Sequence, residues 1–163
     1  MMEVVTRTQE ETAELGRSFA TTLKGGDVVA LRGDLGTGKT TFVTGVCGAL
    51  APGVHVSSPT FTLVNEYRAQ RCTVVHIDLY RLESIGEVAE LGLDEYFSEA
   101  NICLIEWPEL VLDIMPVGFV SVQFKYGTGD EERRITIEKS ERAVPAGGAG
   151  AGKTAGHPGR RSK

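Results

Sequence analysis

Apolar positions along this chain fall into runs of three kinds. Leu15, Phe19 and Leu23 recur at a spacing of four behind Thr8-Gln9-Glu10-Glu11. That spacing marks one face of a helix. Thr followed three residues later by Glu is a capping-box start, and Gly25-Gly26 is the expected stop. Val28-Val29-Ala30-Leu31 and Ile102-Cys103-Leu104-Ile105 have no polar interruption, which predicts two buried strands, the second covered on both faces. Thr41 to Leu50 contains no Pro and is apolar at Phe42, Val43, Val46, Cys47, Ala49 and Leu50. It reads as a well-buried helix, broken by Ala51-Pro52-Gly53.

The remaining elements alternate or are short. Phe61 to Tyr67 has β-branched and aromatic character, and Thr73 to Asp78 is a second strand. The connection between them, Arg68 to Cys72, is too short for a parallel crossover and predicts an antiparallel hairpin. Ser84-Ile85-Gly86-Glu87 is a second capping box, opening a short helix toward Leu91. Gly92 ends it, and Leu93 to Phe97 forms one more turn. Pro108 suits the first position of a helix through Met115, which Pro116 and Gly118 end. Val120, Val122 and Phe124 alternate with polar residues, as do Ile135 and Ile137 after a turn at residues 126–130, predicting a last hairpin. From about Glu141 the chain is Gly, Ala, Pro and basic residues with no core-forming pattern, expected to be disordered. The organisation is therefore one α/β domain over residues 1–140 and a tail over 141–163.

Composition narrows the function classes. The net charge of −5 argues against a broad grip on nucleic acid by this chain alone, which would need many Lys and Arg contacts to phosphate. Cys47, Cys72 and Cys103 have no C-x-x-C spacing, and an odd number of lone cysteines fits reduced thiols better than a disulfide frame. No apolar stretch approaches the ~18 residues of a membrane span. The segment Met1 to Glu11 is polar and acidic, unlike a signal peptide. The expected compartment is the cytoplasm, with no membrane partner.

The chemistry centres on Gly33-Asp34-Leu35-Gly36-Thr37-Gly38-Lys39-Thr40-Thr41, which fits the phosphate-binding pattern G-x-x-x-x-G-K-S/T. A predicted strand precedes it and a predicted helix follows. Glycines let backbone N–H groups converge on phosphate oxygens, and the helix N-terminus faces the same anion. Lys39 can reach the β- and γ-phosphates, and the Thr40 hydroxyl can ligate Mg²⁺. Gly33, Leu35, Gly36, Thr37, Gly38, Lys39, Thr40 and Thr41 are thus the expected nucleotide-binding residues. The pattern recurs at Gly147 to Thr154, but no apolar run precedes it and Pro158 follows; this match is read as a coincidence of low complexity.

Such a loop needs a carboxylate at a neighbouring strand end. Asp78 and Glu106 both qualify. Glu106 can bind Mg²⁺ or orient an attacking water, and Asp78 can hold Mg²⁺ directly or through water. Thr60 lies in a Ser/Pro/Thr loop of the kind that supplies a hydroxyl to Mg²⁺ and the γ-phosphate. Trp107, the single tryptophan, can stack on a base or substrate or pack in the core. His76 is expected to be a core residue. Arg81 is either a charge sensor or a partner of Glu83. The guanine-reading N-K-x-D pattern is absent, so ATP is the expected nucleotide. A stand-alone small-metabolite kinase is the alternative, although it usually needs an arginine-rich lid, and residues 55–109 hold only Arg68, Arg71 and Arg81.

Four blocks in order, Gly33 to Thr41, Ser58-Pro59-Thr60-Phe61-Thr62-Leu63, His76-Ile77-Asp78-Leu79-Tyr80-Arg81-Leu82 and Ile105-Glu106-Trp107-Pro108-Glu109, resemble the bacterial TsaE (YjeE) family. The resemblance covers about residues 5 to 140 and leaves out the tail. It implies a small P-loop ATPase with a mixed sheet, needed to form threonylcarbamoyladenosine in tRNAs that read codons beginning with adenine. It implies two partners, TsaB and TsaD, of which TsaD transfers the threonylcarbamoyl group to tRNA while ATP hydrolysis by TsaE resets the complex. Contact with tRNA is then indirect. The resemblance also puts Mg²⁺ on Thr40 and Glu106, gives Asp78 a supporting role and places Thr60 in a switch-like loop.

Overall fold

The computed structural model describes residues 1–140. The expected disordered tail and the second glycine match lie outside the described residues. Seven strands form one mixed sheet in the order β1-β7-β6-β2-β5-β4-β3. They are β1 (Met2–Thr6), β2 (Val28–Arg32), β3 (Val64–Arg68), β4 (Thr73–Asp78), β5 (Asn101–Glu106), β6 (Val120–Tyr126) and β7 (Arg133–Lys139). The centre is parallel: β2 pairs with both β5 and β6, and β4 pairs with β5. The flanks are the two expected antiparallel hairpins, β3–β4 and β6–β7, with β1 added beside β7.

Side chains of a strand point to alternate faces, and the central strands use both. Val29 and Leu31 of β2, Ile102 and Leu104 of β5, and Val122 and Phe124 of β6 pack under α1 (Gln9–Ala20) and α2 (Lys39–Leu50). Val28, Ala30, Val75, Ile77, Cys103 and Ile105 point the other way. They are covered by Val88 of α3 (Ile85–Glu90), Leu93 of α4 (Leu93–Tyr96), Val111 and Met115. The result is three layers of the P-loop NTPase-like kind. Phe42 anchors the first core, with its ring 5.4 Å from Phe19 and 5.6 Å from Phe124.

Glycine sets how closely α1 and α2 approach. A Cβ at Gly16 would stand 2.2 Å from the Phe42 carbonyl oxygen, and one at Gly45 would stand 2.0 Å from that of Ala13. The first helix therefore packs on the second with backbones in contact, as well as near the sheet. Its start is as expected, since the Thr8 hydroxyl accepts from the Glu11 N–H at 3.1 Å. The Glu11 carboxylate reaches one residue further back, to the N–H of Arg7.

Several expected boundaries move. α1 ends at Ala20, and turns carry the chain to Gly25. Gly25 suits that position because a Cβ there would meet the Glu99 carbonyl oxygen at 2.0 Å. The strand expected from Phe61 begins at Val64 instead: the Leu63 N–H bonds to the Pro59 carbonyl at 2.6 Å, making a turn with Leu63 at φ 65°. The helix expected over Pro108 to Met115 is only a 3₁₀ turn, Pro108–Leu110, followed by further turns. So short a segment has little helical stability of its own, and the turns bury Val111 and Met115 while leaving Ile114 exposed. The N-terminal strand β1 carries no strong pattern, because Met2 and Glu3 face solvent on an edge.

Two outcomes test this packing. Gly45→Ala should destabilise the protein by about 1–3 kcal/mol, the usual cost of overpacking. Gly48→Ala on the same helix has nothing within 4 Å of the new methyl group and should stabilise by roughly 0.5–1 kcal/mol; denaturant unfolding measures both. The cysteines are free, and burial pushes the Cys47 and Cys103 thiols up to about 12. Since the thiolate is the nucleophile, alkylation of the native protein at pH 8 should modify half-buried Cys72 first, with Cys47 and Cys103 reacting only on unfolding.

Candidate functional site

The loop between β2 and α2 needs backbone that only glycine adopts easily. Gly33, Gly36 and Gly38 have φ of 138°, 77° and 98°. Gly33 also lies so close to β6 that a Cβ would stand 2.5 Å from the Phe124 carbonyl oxygen. Thr37 is fully buried and its hydroxyl donates to the Asp34 carbonyl at 2.7 Å, bracing the loop from within. From outside, the Tyr126 hydroxyl donates to the Leu35 carbonyl. Gly38 caps α2 with no side-chain hydrogen bond to the first turn.

Strand register brings the carboxylates to this loop. Leu31 of β2 stands opposite Glu106 of β5, and Glu106 opposite Asp78 of β4. Glu106 is 3% exposed. Its Oε1 accepts from the Thr40 hydroxyl at 2.9 Å and lies 2.9 Å from His76 Nε2, while its Oε2 is 3.3 Å from Thr40. Asp78 is also buried; its Oδ2 accepts from the Thr60 hydroxyl at 3.0 Å and its Oδ1 from the Tyr80 N–H. The Ser58 and Thr60 hydroxyls are 2.6 Å apart.

Lys39 donates to the carbonyls of Gly33 at 2.7 Å and Asp34 at 2.9 Å. Its ammonium stands 4.2 Å from the centroid of the Trp107 ring, a cation–π contact. Burial pulls this ammonium below the ordinary lysine value, while Glu106, Asp78, Glu109 and Asp34 pull the other way. Trp107 holds φ at 56°, a left-handed value uncommon outside glycine. That turn sets its ring 4.9 Å from the Tyr80 ring.

These groups line one cavity of about 380 Å³, within the range of small-ligand sites. Leu35, Gly36, Gly38, Lys39, Thr40, Thr41, Thr60, Asp78, Glu106 and Trp107 all border it. Gly33 and Thr37 do not; they shape the loop behind it. Gln9, Ser58 and Tyr80 border it too, although the residue pattern does not single them out. Tyr80 was within reach of inference, being two residues past Asp78. Gln9 had no signal beyond its place at the start of α1. His76 is in the core as expected, yet it also touches Glu106. Arg81 stacks its guanidinium 4.6 Å over the Phe61 ring. A larger cavity near Met1, Phe119 and Ser140 includes none of the loop residues.

Sheet order, layers and glycine loop together define a P-loop NTPase-like α/β protein. Residues 6–136 match the family model described as threonylcarbamoyl adenosine biosynthesis protein TsaE, and the chain belongs to that family. Its role is accordingly in tRNA threonylcarbamoyladenosine biosynthesis. The tRNA threonylcarbamoyladenosine biosynthesis protein TsaE of Bacillus subtilis is 42% identical over 128 residues, covering 78% of this chain and 79% of the relative. That of Rickettsia bellii is 38% identical, covering 82% and 91%, and that of Treponema pallidum 36%, covering 83% and 99%. The crystal structure of Bacillus subtilis YdiB superposes with a TM-score of 0.70 at 35% identity, over 86% of each chain. Among the described residues no helix is long and apolar enough to cross a membrane.

The contact between Lys39 and Trp107 has a direct optical test. Trp107 is the single tryptophan, so Lys39→Met should change the emission spectrum of the nucleotide-free protein by removing the cation above the indole. An unchanged spectrum would show that the ammonium does not sit there.

Proposed function

We propose that this protein is an Mg²⁺-dependent ATPase of the cytoplasm that acts on a TsaB–TsaD pair. The modification it serves is threonylcarbamoyladenosine in tRNAs reading codons that begin with A, and its contact with tRNA runs through the complex. The reading is carried by the meeting of the Thr40 hydroxyl and the Glu106 carboxylate, 2.9 Å apart, in a cavity that also holds Lys39.

The donor chemistry fits Mg²⁺. A hydroxyl and a carboxylate are hard oxygen ligands, and Mg²⁺ is usually held by one or two carboxylates together with substrate phosphates. Among the described residues no group of three His, Cys, Asp or Glu could hold a metal by itself, which suits an ion bound jointly with a nucleotide. Mg²⁺ would neutralise charge developing between the β- and γ-phosphates. The protein's own groups do the rest. Backbone N–H groups from Gly36 to Thr41 face the phosphates. Lys39 exchanges its carbonyl partners for phosphate oxygens. Glu106 holds the ion or orients the attacking water. Asp78 supports the site and holds Thr60 at its edge, and Trp107 and Tyr80 wall the cavity against solvent.

Dependence on a partner is supported by the rim. Leu35 and Tyr80, which border the cavity, are 67% and 51% exposed, and Phe61, next in sequence to Thr60, is 83% exposed; exposed apolar groups gathered around a site suit a surface that another protein covers. A partner seated there would order the Thr60 loop and exclude water, as activating partners do for other P-loop enzymes.

Phosphate release with and without the TsaB–TsaD pair tests the proposal. Basal turnover should be slow and the pair should stimulate it. Lys39→Ala should abolish turnover. Glu106→Ala should lower it by about 10²–10⁴ while nucleotide still changes Trp107 fluorescence. Thr60→Ala should reduce the stimulated rate more than the basal one. Fast turnover indifferent to the pair, or turnover that requires a small-molecule acceptor, would overturn the proposal in favour of a stand-alone kinase.

A further inference from the structure

His76 is fully buried in β4, a position where an apolar side chain would pack without polar cost. Its two ring nitrogens have unequal surroundings. Nε2 lies 2.9 Å from Glu106 Oε1. Nδ1 is buried and has no hydrogen-bond partner among the described residues. A carboxylate only accepts, so the nitrogen facing it must carry the proton. Placing the proton on Nδ1 instead would leave a buried N–H unpaired and set a lone pair against the carboxylate, two penalties avoided by the other tautomer. The hydrogen-bond geometry therefore puts a proton on Nε2, facing Glu106.

Sheet geometry determines what this hydrogen bond does. His76 precedes Asp78 by two residues, so both side chains lie on the face that carries α2. Asp78 is paired in register with Glu106, and His76 reaches Glu106 diagonally from behind the strand end. Oε1 is then held from the protein side. The Thr40 hydroxyl lies 2.9 Å from Oε1 and 3.3 Å from Oε2, and among the described residues it is the one hydrogen-bond partner of Oε2. We infer that His76 is the positioning residue for Glu106: its Nε2–H fixes the carboxylate rotamer so that Oε2 and the Thr40 hydroxyl are presented together to the cavity.

The inference deepens the nucleotide reading and rests on it for the consequence to Mg²⁺, but not for the hydrogen bond. Two measurements on the full chain separate these. In the nucleotide-free protein, ¹⁵N-histidine NMR should report His76 as the Nε2–H tautomer, with its resonances shifted in Glu106→Met. An Nδ1–H tautomer, or resonances indifferent to Glu106→Met, would overturn the inference whatever the protein's activity. The second measurement follows Trp107 fluorescence during Mg²⁺ titration in the presence of ADP, alongside turnover with the TsaB–TsaD pair. His76→Phe keeps a buried ring and removes the donor; it should raise the Mg²⁺ needed for half-saturation and lower kcat, each by about 10–100-fold. ADP affinity without Mg²⁺ should stay within about twofold, as expected when only ligand positioning is lost. His76→Gln retains an N–H donor and should recover most of both losses. A folded His76→Phe with unchanged Mg²⁺ dependence and kcat, or a His76→Gln as impaired as His76→Phe, would show that the ring serves packing alone.

Discussion

Parallel register at the centre of the sheet is the constraint on which the site depends. Leu31, Glu106 and Asp78 stand side by side on three strands. Because the strands are parallel, all three leave the sheet at the same edge. The glycine loop starts two residues past Leu31 and so opens directly beside both carboxylates. A one-residue slip in either pairing would send Glu106 or Asp78 to the opposite face, since side chains alternate. Such a slip is opposed because it would drive a carboxylate into the apolar core on the other side, away from the hydroxyl and imidazole groups that now pair with it. Strand register thus holds the carboxylates near Thr40 and Thr60.

Local strain is concentrated where the polar groups converge. Three glycines with positive φ shape the loop, and Trp107 accepts a left-handed conformation immediately after Glu106. Such a residue costs on the order of 1–3 kcal/mol and persists only where its surroundings over-determine it. Here the Trp107 N–H bonds to the Leu31 carbonyl at 3.3 Å, and its ring contacts Tyr80 and Lys39. The turn removes the chain from the sheet at once and keeps the indole over the cavity.

Most of the fold was legible because its signals are local. Continuous apolar runs marked β2 and β5, alternation marked β6 and β7, and Ser84 with Glu87 forms the capping box its spacing implied. Of the candidate site, the residues that a motif carries, Lys39, Thr40, Asp78 and Glu106, come together along one cavity. What remained hidden depends on tertiary contact. β1 exists as a strand because β7 offers it an edge. Leu63 turns rather than extends because Pro59 supplies a carbonyl. His76 looks like any core residue until strand register sets it diagonal to Glu106, and Gln9 reaches the cavity only because α1 lies against α2.

The contact between α1 and α2 has a genetic consequence. Where a side chain crowds a neighbour, trimming that neighbour relieves the clash, and such pairs can drift together. At Gly16 and Gly45 the obstruction is a main-chain carbonyl, which every residue carries. No substitution at Phe42 or Ala13 can make room, so neither glycine has a local suppressor. Each is confined by the backbone opposite it, and the two helices are bound to inherit this contact unchanged.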